Sequence, residues 1–506
     1  MYPRHATNSA AIALPVSSFS MKPADSYSPG IPKTQIPVVR SGRQMQKANA
    51  VRTGLAVLTA VVCPCLGETL TVVEEPELIK VVKEDRSILV YQRTPNEFKT
   101  YISELRTPAG LQLLLDSPSD HIHHHALMFA VNADGREFWS EHPGNGGQQI
   151  PKSTRVSTAS DRTGAVIDQT LDWVDHEKTH RLVEDRTITI QGATEGATLL
   201  TWRSQLRPAV GRDSVGLTGA HYFGLGMRFI REFDNKVTFV HPRDSVGKVY
   251  RGSERLTPGR WCAAQGTVDG KPVTAAMFDH PLNPRYPATW FTMSKPFGYL
   301  SATPNLEQQP RTILAGQTFD LRYGVALLDG HVGADAIERL YAKWLSLEQP
   351  LGERVNIALA KHGTKATASS VHGPDYTASK AIDGKYSVRE TDKWNSAAKN
   401  TPHYLKLDLG RSRTIDTIVV RHEGVLPLLD AHKFNSADFR LQHSSKPNGP
   451  FADLVAPIRD NTDNVTLHRF KPVQTRYLRL LIETAEQKGN SHGRIAEMEV
   501  WVSSAR

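Results

Sequence analysis

The chain has 506 residues, too many for one hydrophobic core, so the length predicts two or more domains. Hydrophobic residues at 39% and charged residues at 22% are typical of globular proteins. The formal charge of +9 would suit a polyanionic partner, but residues 1–67 hold seven Lys and Arg against one Asp, and the remainder carries only +3. No arginine-rich stripe is interleaved with aromatic residues elsewhere, so we do not expect nucleic acid as a partner.

Residues 1–67 have the composition of a leader. They begin with a stretch rich in Ser, Pro and Ala, and basic residues then precede a short apolar run at residues 54–62. This order is typical of an export signal, and the run is too short to span a bilayer. We predict cleavage after Gly67 and a secreted or periplasmic protein. The sequence leaves open whether translation starts at Met1 or at Met45.

The three cysteines do not form a disulfide framework. Cys63 and Cys65 lie in the predicted leader, so processing would leave Cys262 alone. The stability of the exported protein must then come from large hydrophobic cores. No apolar run reaches the length of a membrane-spanning helix, so we expect no membrane span. The oligomeric state is not predicted by the sequence.

Residues 120–139 are the most chemically loaded stretch, with four histidines in five positions before an apolar run. The apolar run and the turn-forming residues 132–135 predict strand, turn and strand. In an extended chain, period-two alternation would put His121, His123 and His125 on one face. Like charges so close together would lower the pKa values of the imidazoles, and neutral imidazoles act as metal ligands or general bases.

Residues 69–346 predict an all-β domain, because strand-like segments follow one another without helices between them. These segments are residues 187–191, 197–205, 236–241, 273–278 and 318–328. One clear helix is predicted at residues 334–345, from an apolar stripe of period 3.6. Pro350 and Gly352 then predict a short linker to a second domain at residues 353–506.

A second candidate for a functional site is the loop at residues 279–290. Three prolines within seven residues predict a rigid loop outside the strand ladders. The loop carries Asp279, His280, Asn283 and Arg285, and function concentrates in rigid polar loops on a β scaffold. These residues either position a ligand or only cap turns and pair at the surface.

Three motifs together resemble those of a known family. They are Asp120-His121-x-His123-His124 with Phe138-Trp139, Gly224-Leu225-Gly226-Met227-Arg228, and Asp279-His280-Pro281-x-Asn283-Pro284-Arg285-x-Pro287-x-x-Trp290. They are similar to the PmoA-like family of exported bacterial proteins, over roughly residues 69–330. The resemblance implies a β-sandwich similar to that of galactose mutarotases (a supersandwich) and a setting of polysaccharide degradation. The methane oxygenase activity in the family's name is not expected, since that subunit is an integral membrane protein.

The second domain resembles the discoidin, or coagulation factor V/VIII type C, domain. The motifs that carry this likeness include Ala381-Ile382-Asp383-Gly384, Leu405-Lys406-Leu407-Asp408-Leu409-Gly410 and Ile495-Ala496-Glu497-Met498-Glu499-Val500. The resemblance implies an eight-stranded jelly-roll sandwich that binds sugars on loops at one end. It also implies a structural calcium ion held by Asp383 and Glu497 with backbone carbonyls. The alternative is that Asp383 only forms an Asx turn before Gly384.

We therefore predict a carbohydrate-active protein with glycan or polysaccharide as its partner. The first domain would process a glycan, with an activity like that of glycoside hydrolases, while the discoidin domain binds sugar. The predicted catalytic residues are His121, His123, His124, Asp279 and His280, and the predicted substrate-binding residues are Asn283, Arg285 and Trp139, all in one cleft. The alternative is a non-catalytic glycan-binding or adhesion protein in which both domains only bind.

Three interpretations of the histidines stay open: an acid–base site, a site for a divalent metal, and a structural set. No HExxH or CxxC spacing supports zinc. Glycosidases pair two carboxylates, and the candidates are Asp120, Glu137, Glu141 and Asp279. Catalysis and binding are distinguished by whether an Asp or Glu lies within hydrogen-bond reach of His123 or His124 in an open cleft.

Overall fold

The computed structural model describes residues 69–503, except residues 95–96, 143, 160–162, 195, 243–246, 353, 387–388, 398–401, 427–429 and 487–491. The predicted leader, with its cleavage point after Gly67, lies outside the described residues. Within the described part of the chain, no helix has the length and apolar character needed to cross a membrane.

The first domain consists mainly of strands. They are β1 Leu70–Glu74, β2 Leu78–Lys83, β3 Arg86–Gln92, β4 Tyr101–Leu105, β5 Leu127–Ala130, β6 Asn132–Ala133, β7 Gln148–Thr158, β8 Gly164–Val174, β9 His180–Thr194, β10 Ala197–Pro208, β11 Ser214–Thr218, β12 Gly224–Arg228, β13 Thr238–Val240, β14 Lys248–Arg251, β15 Glu254–Pro258, β16 Trp261–Val268, β17 Lys271–Asp279, β18 Thr289–Met293, β19 Tyr299–Thr303, β20 Arg311–Leu314 and β21 Phe319–Asp329. A 3-10 helix, Arg231–Phe233, follows β12. The predicted all-β class is confirmed.

Two large antiparallel sheets form the body of this domain. One has the strand order β1-β2-β3-β4-β5-β12-β19-β18-β15-β14, and the other has the order β13-β16-β17-β21-β10-β9-β8-β7. A small sheet, β20-β11-β6, lies beside them. Alternation explains the layering: in β8 the side chains of Ile167, Leu171 and Trp173 are buried in the large core, while Asp168 between them is exposed.

The helix α1, Ala334–Leu347, covers part of the outer face of the eight-stranded sheet. Its buried residues are Ile337, Leu340, Tyr341 and Trp344, which is the apolar stripe that the sequence predicts. They pack on Trp261 and Phe278 of β16 and β17 in a second core. The helix ends before Pro350, which cannot continue it.

The second domain has its own sheets and core. Its strands are β22 Arg354–Asn356, β23 Lys365–Ala368, β24 Trp394–Asn395, β25 His403–Arg421, β26 Asp438–Ser444, β27 Ala452–Asp453, β28 Val465–Thr484, β29 Arg494–Ile495 and β30 Glu497–Ser503. The 3-10 helices Ala360–His362, Pro374–Tyr376, Ala378–Ile382, Glu423–Val425 and Ala431–Phe434 connect them. The seven-stranded sheet has the order β22-β30-β25-β28-β26-β27, with β23 on β25, and β24 pairs with β29. Both domains belong to one compact unit, Cys65–Arg506.

Candidate functional site

Residues 117–125 form tight turns before β5. The amide of His121 donates to the carbonyl of Pro118 at 2.9 Å, and the amide of His124 donates to the carbonyl of His121 at 2.9 Å. Hydrogen bonds between residues three apart close turns and are incompatible with an extended chain. The strand therefore begins only at Leu127.

These turns decide which histidines are neighbours. The prediction that His121, His123 and His125 share a strand face is wrong, because a turn brings together residues that are three apart. The rings of His121 and His124 stack, with centroids 4.7 Å apart and planes inclined by 20°. The ring of His123 meets both edge-on, at 5.8 Å and 4.6 Å.

Three aromatic side chains from other segments enclose the stacked pair. Phe297 lies 4.7 Å from His121 and 5.5 Å from His124, measured between ring centroids. Tyr299 of β19 lies 5.2 Å from His124, and Trp139 lies 6.3 Å from it. The structure thus places Trp139 beside the three histidines that were predicted to act with it. We call His121, His123, His124, Trp139, Phe297 and Tyr299 the histidine–aromatic cluster.

Buried polar atoms of this cluster lack hydrogen-bond partners among the described residues. His121 Nδ1 is one of them, although it lies 3.3 Å from Asp120 Oδ2; the other three are His124 Nδ1, Trp139 Nε1 and Tyr299 Oη. The three residues are 6%, 1% and 2% exposed. A buried polar atom without a partner costs roughly 1–3 kcal/mol, so three such atoms in one cluster suit a ligand that bonds to them.

Burial keeps two imidazoles of the cluster, those of His123 and His124, neutral. It lowers the pKa of His123 to about 4, with a smaller contribution from the charge of Lys99. It lowers the pKa of His124 to about 2, and the neighbouring His123 and His121 add to the effect. The like-charge effect predicted from the sequence is therefore present but smaller than that of burial.

His125 belongs to a separate buried network. Its Nδ1 lies 2.7 Å from Asp116 Oδ1, and its Nε2 lies 2.7 Å from Glu141 Oε1. Glu141 also accepts a hydrogen bond from Lys99 Nζ at 2.9 Å, and the ring of Tyr101 stacks on the imidazole at 3.7 Å. Because the side chain of His125 is fully buried, this network supports the turn.

Two acidic groups lie near the cluster, and one of them pairs with His121 inside it. Glu141 contacts His125, and Asp120 Oδ2 lies 3.3 Å from His121 Nδ1. In the described part of the chain, no Asp or Glu hydrogen-bonds to His123 or His124. By the criterion given above, this geometry favours binding over acid–base catalysis. Nor does this part of the chain group three His, Cys, Asp or Glu side chains so as to hold a metal ion.

The polar loop at residues 279–290 lies away from the histidines. Strand β18 separates the loop from the histidine–aromatic cluster. The last residue of the strand, Met293, pairs with Tyr299 of the cluster, whereas the polar residues of the loop come before the first residue of the strand. The amide of Ala288 in the loop donates to Asp279 Oδ2 at 2.6 Å. Five residues of strand span roughly 15 Å. The predicted single cleft is therefore wrong: Asp279, His280, Asn283 and Arg285 do not join the histidines.

The loop's side chains bond to the loop itself and to β21. Asn283 Nδ2 donates to Asp279 Oδ1 at 2.6 Å and to the carbonyl of Arg322 at 2.7 Å, and the amide of Arg322 donates to Asn283 Oδ1 at 2.8 Å. His280 is buried 5.8 Å from the ring of Trp344, and burial lowers its pKa to about 3. Burial also raises the pKa of Asp279 to about 8.

Arg285 and its neighbours contact the second domain. Arg285 Nη2 donates to Thr462 Oγ1 at 3.0 Å, and its Nε lies 3.6 Å from Asp463 Oδ1. The amide of Asn464 donates to the carbonyl of Pro284 at 2.7 Å. An apolar group surrounds these contacts, made of Tyr286, Val419, Val425, Leu426, Val465 and Ala496. The loop that we predicted to bind substrate is thus an interface between domains, where its rigid polar groups bond to another loop.

Sequence reasoning missed Arg228. Its side chain is fully buried, its guanidinium lies over the ring of Phe297 at 3.7 Å, and its Nε and Nη1 have no partner among the described residues. Alternation along β12 puts Gly226 and Arg228 on one face. Tyr299 can pack on that face because Gly226 has no Cβ: a Cβ there would lie 2.1 Å from Tyr299 Oη. In the sequence, the Gly-Leu-Gly-Met-Arg motif was the feature that could have indicated a role for Arg228.

In the second domain, Asp383 and Glu497 meet at one loop. The amide of Gly384 lies 3.2 Å and 3.3 Å from the two carboxylate oxygens of Glu497. Asp383 Oδ1 accepts the amide of Lys385 at 2.9 Å, which is the Asx turn of the alternative interpretation. Burial, then Glu499, raises the pKa of Glu497 to about 9. These oxygens fit calcium, which would need backbone carbonyls to complete its ligands.

Comparison with known families now gives the class of protein. Residues 79–342, slightly more than half of the chain, match a family of unknown function (DUF6807), and the chain belongs to that family. This match supplies no support for the PmoA-like resemblance. Residues 365–498 match the F5/8 type C domain, as the sequence predicted. No curated protein matches the chain significantly.

Several solved structures are similar to the second domain. Chitosan-binding module 1 of a chitosanase/glucanase from Paenibacillus sp. IK-5 is 22% identical, and the match covers 29% of this chain and 99% of the module, with a TM-score of 0.24. The family 32 carbohydrate-binding module of Streptococcus pneumoniae EndoD is 21% identical over 29% and 98%, with a TM-score of 0.25. That of Clostridium perfringens NanJ, in complex with galactose, is 20% identical over 29% and 99%, with a TM-score of 0.23.

Proposed function

We propose that the protein binds glycans through both domains, with the histidine–aromatic cluster as the site in the first. The observation that carries the proposal is the set of buried polar atoms without partners in that cluster: His124 Nδ1, Trp139 Nε1 and Tyr299 Oη. A sugar hydroxyl both donates and accepts hydrogen bonds, so one sugar residue can satisfy all three atoms. Apolar walls with a few convergent polar groups are typical of small-molecule sites.

The F5/8 type C match supports the second half of the proposal, because discoidin-type domains bind sugars on their loops. In the second domain, Glu423 is already engaged, since its Oε1 accepts a hydrogen bond from Lys393 Nζ at 2.6 Å. A better candidate for a sugar contact is the group of His372, Tyr376 and His492. The ring of His372 lies 5.8 Å from that of Tyr376 and 5.6 Å from that of His492. His372 is exposed, and an exposed aromatic group can stack on a sugar ring.

Processing of the bound glycan is the second candidate function. One observation favours it: His123 is half-buried, and burial lowers its pKa to about 4, so its imidazole is unprotonated at neutral pH, as a general base must be before it takes a proton. Glu141, the carboxylate whose charge acts on His123, is already bonded to His125 and Lys99. Binding is therefore the better supported function. Export of the protein remains a prediction from the leader.

A pair of tyrosine variants tests binding at the cluster. Tyr299→Phe removes a buried hydroxyl without a partner, so we expect unchanged or higher stability and glycan binding weakened by about tenfold. Tyr91→Phe is the matched control, since Tyr91 Oη donates to Gln169 at 2.5 Å and accepts from Arg186. It should lower the melting temperature and leave binding intact.

The measurements are a glycan array on the full chain, calorimetric titration of the glycans it binds, and a reducing-end assay on the same glycans. We expect no new reducing ends. Glycan binding that Tyr299→Phe leaves unchanged would contradict the site. New reducing ends that disappear in His123→Ala would instead establish the processing function.

A further inference from the structure

The charge of Arg228 is incompletely paired within the first domain. Its side chain is fully buried, and Nε and Nη1 have no hydrogen-bond partner among the described residues. The nearest carboxylate, Asp120, lies 3.4 Å from Nη2 and is shared with Arg231 and His121. Asp234 also faces Arg228, but its Oδ1 accepts the amide of Gly298 at 3.1 Å. A buried guanidinium keeps its charge and is costly unless it is well paired.

Arg228 also acts on His124. After burial and the neighbouring imidazoles of His123 and His121, the charges of Arg228 and Lys99 lower the pKa of His124. Lys99 is paired with Glu141 at 2.9 Å, and Asp234 and Asp120 oppose the lowering of the pKa of Arg228 by its burial. Arg228, whose Nε and Nη1 have no partner among the described residues, is therefore the cation beside the cluster that an added negative charge would meet.

Two of the residues with unpartnered atoms, His124 and Tyr299, lie close enough to Arg228 for its charge to lower their pKa values. The guanidinium of Arg228 and the ring of His124 both contact Phe297, at 3.7 Å and 5.5 Å. Tyr299 pairs with Arg228 across β12 and β19 and lies 5.2 Å from His124. An oxyanion placed beside Arg228 would accept charge-assisted hydrogen bonds from its guanidinium.

We propose that the histidine–aromatic cluster recognises an acidic sugar, with Arg228 as the residue that selects its oxyanion. This inference rests on the proposed glycan binding and names its ligand class. The oxyanion is either the carboxylate of a hexuronic acid or a sulfate ester, which share this chemistry. Tyr299 Oη and Trp139 Nε1 bond to the sugar hydroxyls.

The first test uses matched pairs of glycans on the full chain. An array carries uronate-containing oligosaccharides beside their carboxyl-reduced forms, and sulfated oligosaccharides beside their desulfated forms. We expect an acidic glycan to bind at least about tenfold more tightly than its neutral counterpart, as for one charge-assisted hydrogen bond. The pair of glycans that shows the difference in affinity identifies the oxyanion as a carboxylate or a sulfate. Equal binding of both members, or binding of neutral glycans only, overturns the acidic-sugar inference and leaves glycan binding standing. Binding of no glycan overturns both.

The second test asks whether Arg228 makes the selection. Arg228→Gln should abolish the preference for the acidic glycan while changing the affinity for its neutral counterpart little. Arg251→Gln is the matched control: it removes one exposed arginine from the same sheet, paired there with Glu254, and should leave the preference intact. If Arg228→Gln does not fold, Arg228→Lys decides, because lysine keeps the charge but lacks the planar fork of donors and should weaken the preference. A preference kept in full by either variant contradicts the role of Arg228.

Discussion

At the scale of single residues, Asp279 shows how burial can exceed the effect of hydrogen bonds. Its carboxyl group accepts from Asn283 Nδ2 at 2.6 Å and from the amide of Ala288 at 2.6 Å, and both bonds favour the ionised form. The side chain is nevertheless so buried that its pKa rises to about 8. Asp279 is therefore protonated at neutral pH, and its role is structural.

The raised pKa predicts how stability depends on pH. A carboxyl group whose pKa is raised on folding contributes stability at low pH, and this is lost as pH rises from about 4 to about 8, at roughly 1.4 kcal/mol per pH unit. Asp279→Asn cannot ionise, so we expect its free energy of unfolding to fall less steeply between pH 5 and pH 8. Urea denaturation measures it, with the exposed Asp269→Asn as control. Parallel profiles for wild type and Asp279→Asn would contradict the prediction.

Histidines and tryptophan of the cluster could be predicted as neighbours because they are close in the sequence. His121, His124 and Trp139 lie within 20 residues, so any compact turn brings them near one another. Arg285 could not be placed in the same way. A rigid polar loop has the same composition whether it binds a ligand or packs against another domain. The contacts of Arg285 with Thr462 and Asp463 are evident only from the fold.

At the scale of elements, strand β18 and the turns before β5 determine which residues lie together in the site. Strand β18 keeps the histidines and the proline-containing loop apart, and a register along a strand cannot be read from separate motifs. The turns could not be distinguished from a strand, because residues 120–125 are polar and include only Ile122 as an aliphatic residue. In β8, by contrast, the alternation of apolar and polar residues is clear and burial follows it.

The Asp-Gly loop and β30 carry a prediction about calcium. If Asp383 and Glu497 hold calcium, the ion stabilises the folded state by mass action, by about 2.7 kcal/mol at a hundredfold excess over the dissociation constant. We expect chelator to lower the melting temperature of the full chain by several degrees. Glu497→Gln should remove this difference, and the exposed Asp375→Asn should keep it. Identical melting with calcium and with chelator would leave Asp383 as an Asx turn only.

At the scale of the whole molecule, the two domains share a buried interface. The linker predicted separate folding, and each domain does have its own core. The interface adds an apolar group around Tyr286 and a buried Asp463, whose Oδ2 lies 3.0 Å from Arg311 Nη2. Arg421 of the second domain also donates to the carbonyl of Pro281 at 2.5 Å. Part of the packing of the second domain is therefore against the first domain.

The last prediction concerns residues 356–506 expressed alone. The fragment keeps its own core, so we expect it to fold, but Val419, Val425 and Val465 lose apolar contacts and Asp463 loses both arginines. Burying a charge without its partner is destabilising, so opening near the interface should become easier. Amide hydrogen exchange at residues 461–465 should be faster in the fragment than in the full chain. Strand β26, whose Phe439 and Leu441 belong to the fragment's own core, is the internal control and should exchange more nearly equally in both. Equal exchange at residues 461–465 would mean that the interface adds nothing to the stability of the second domain.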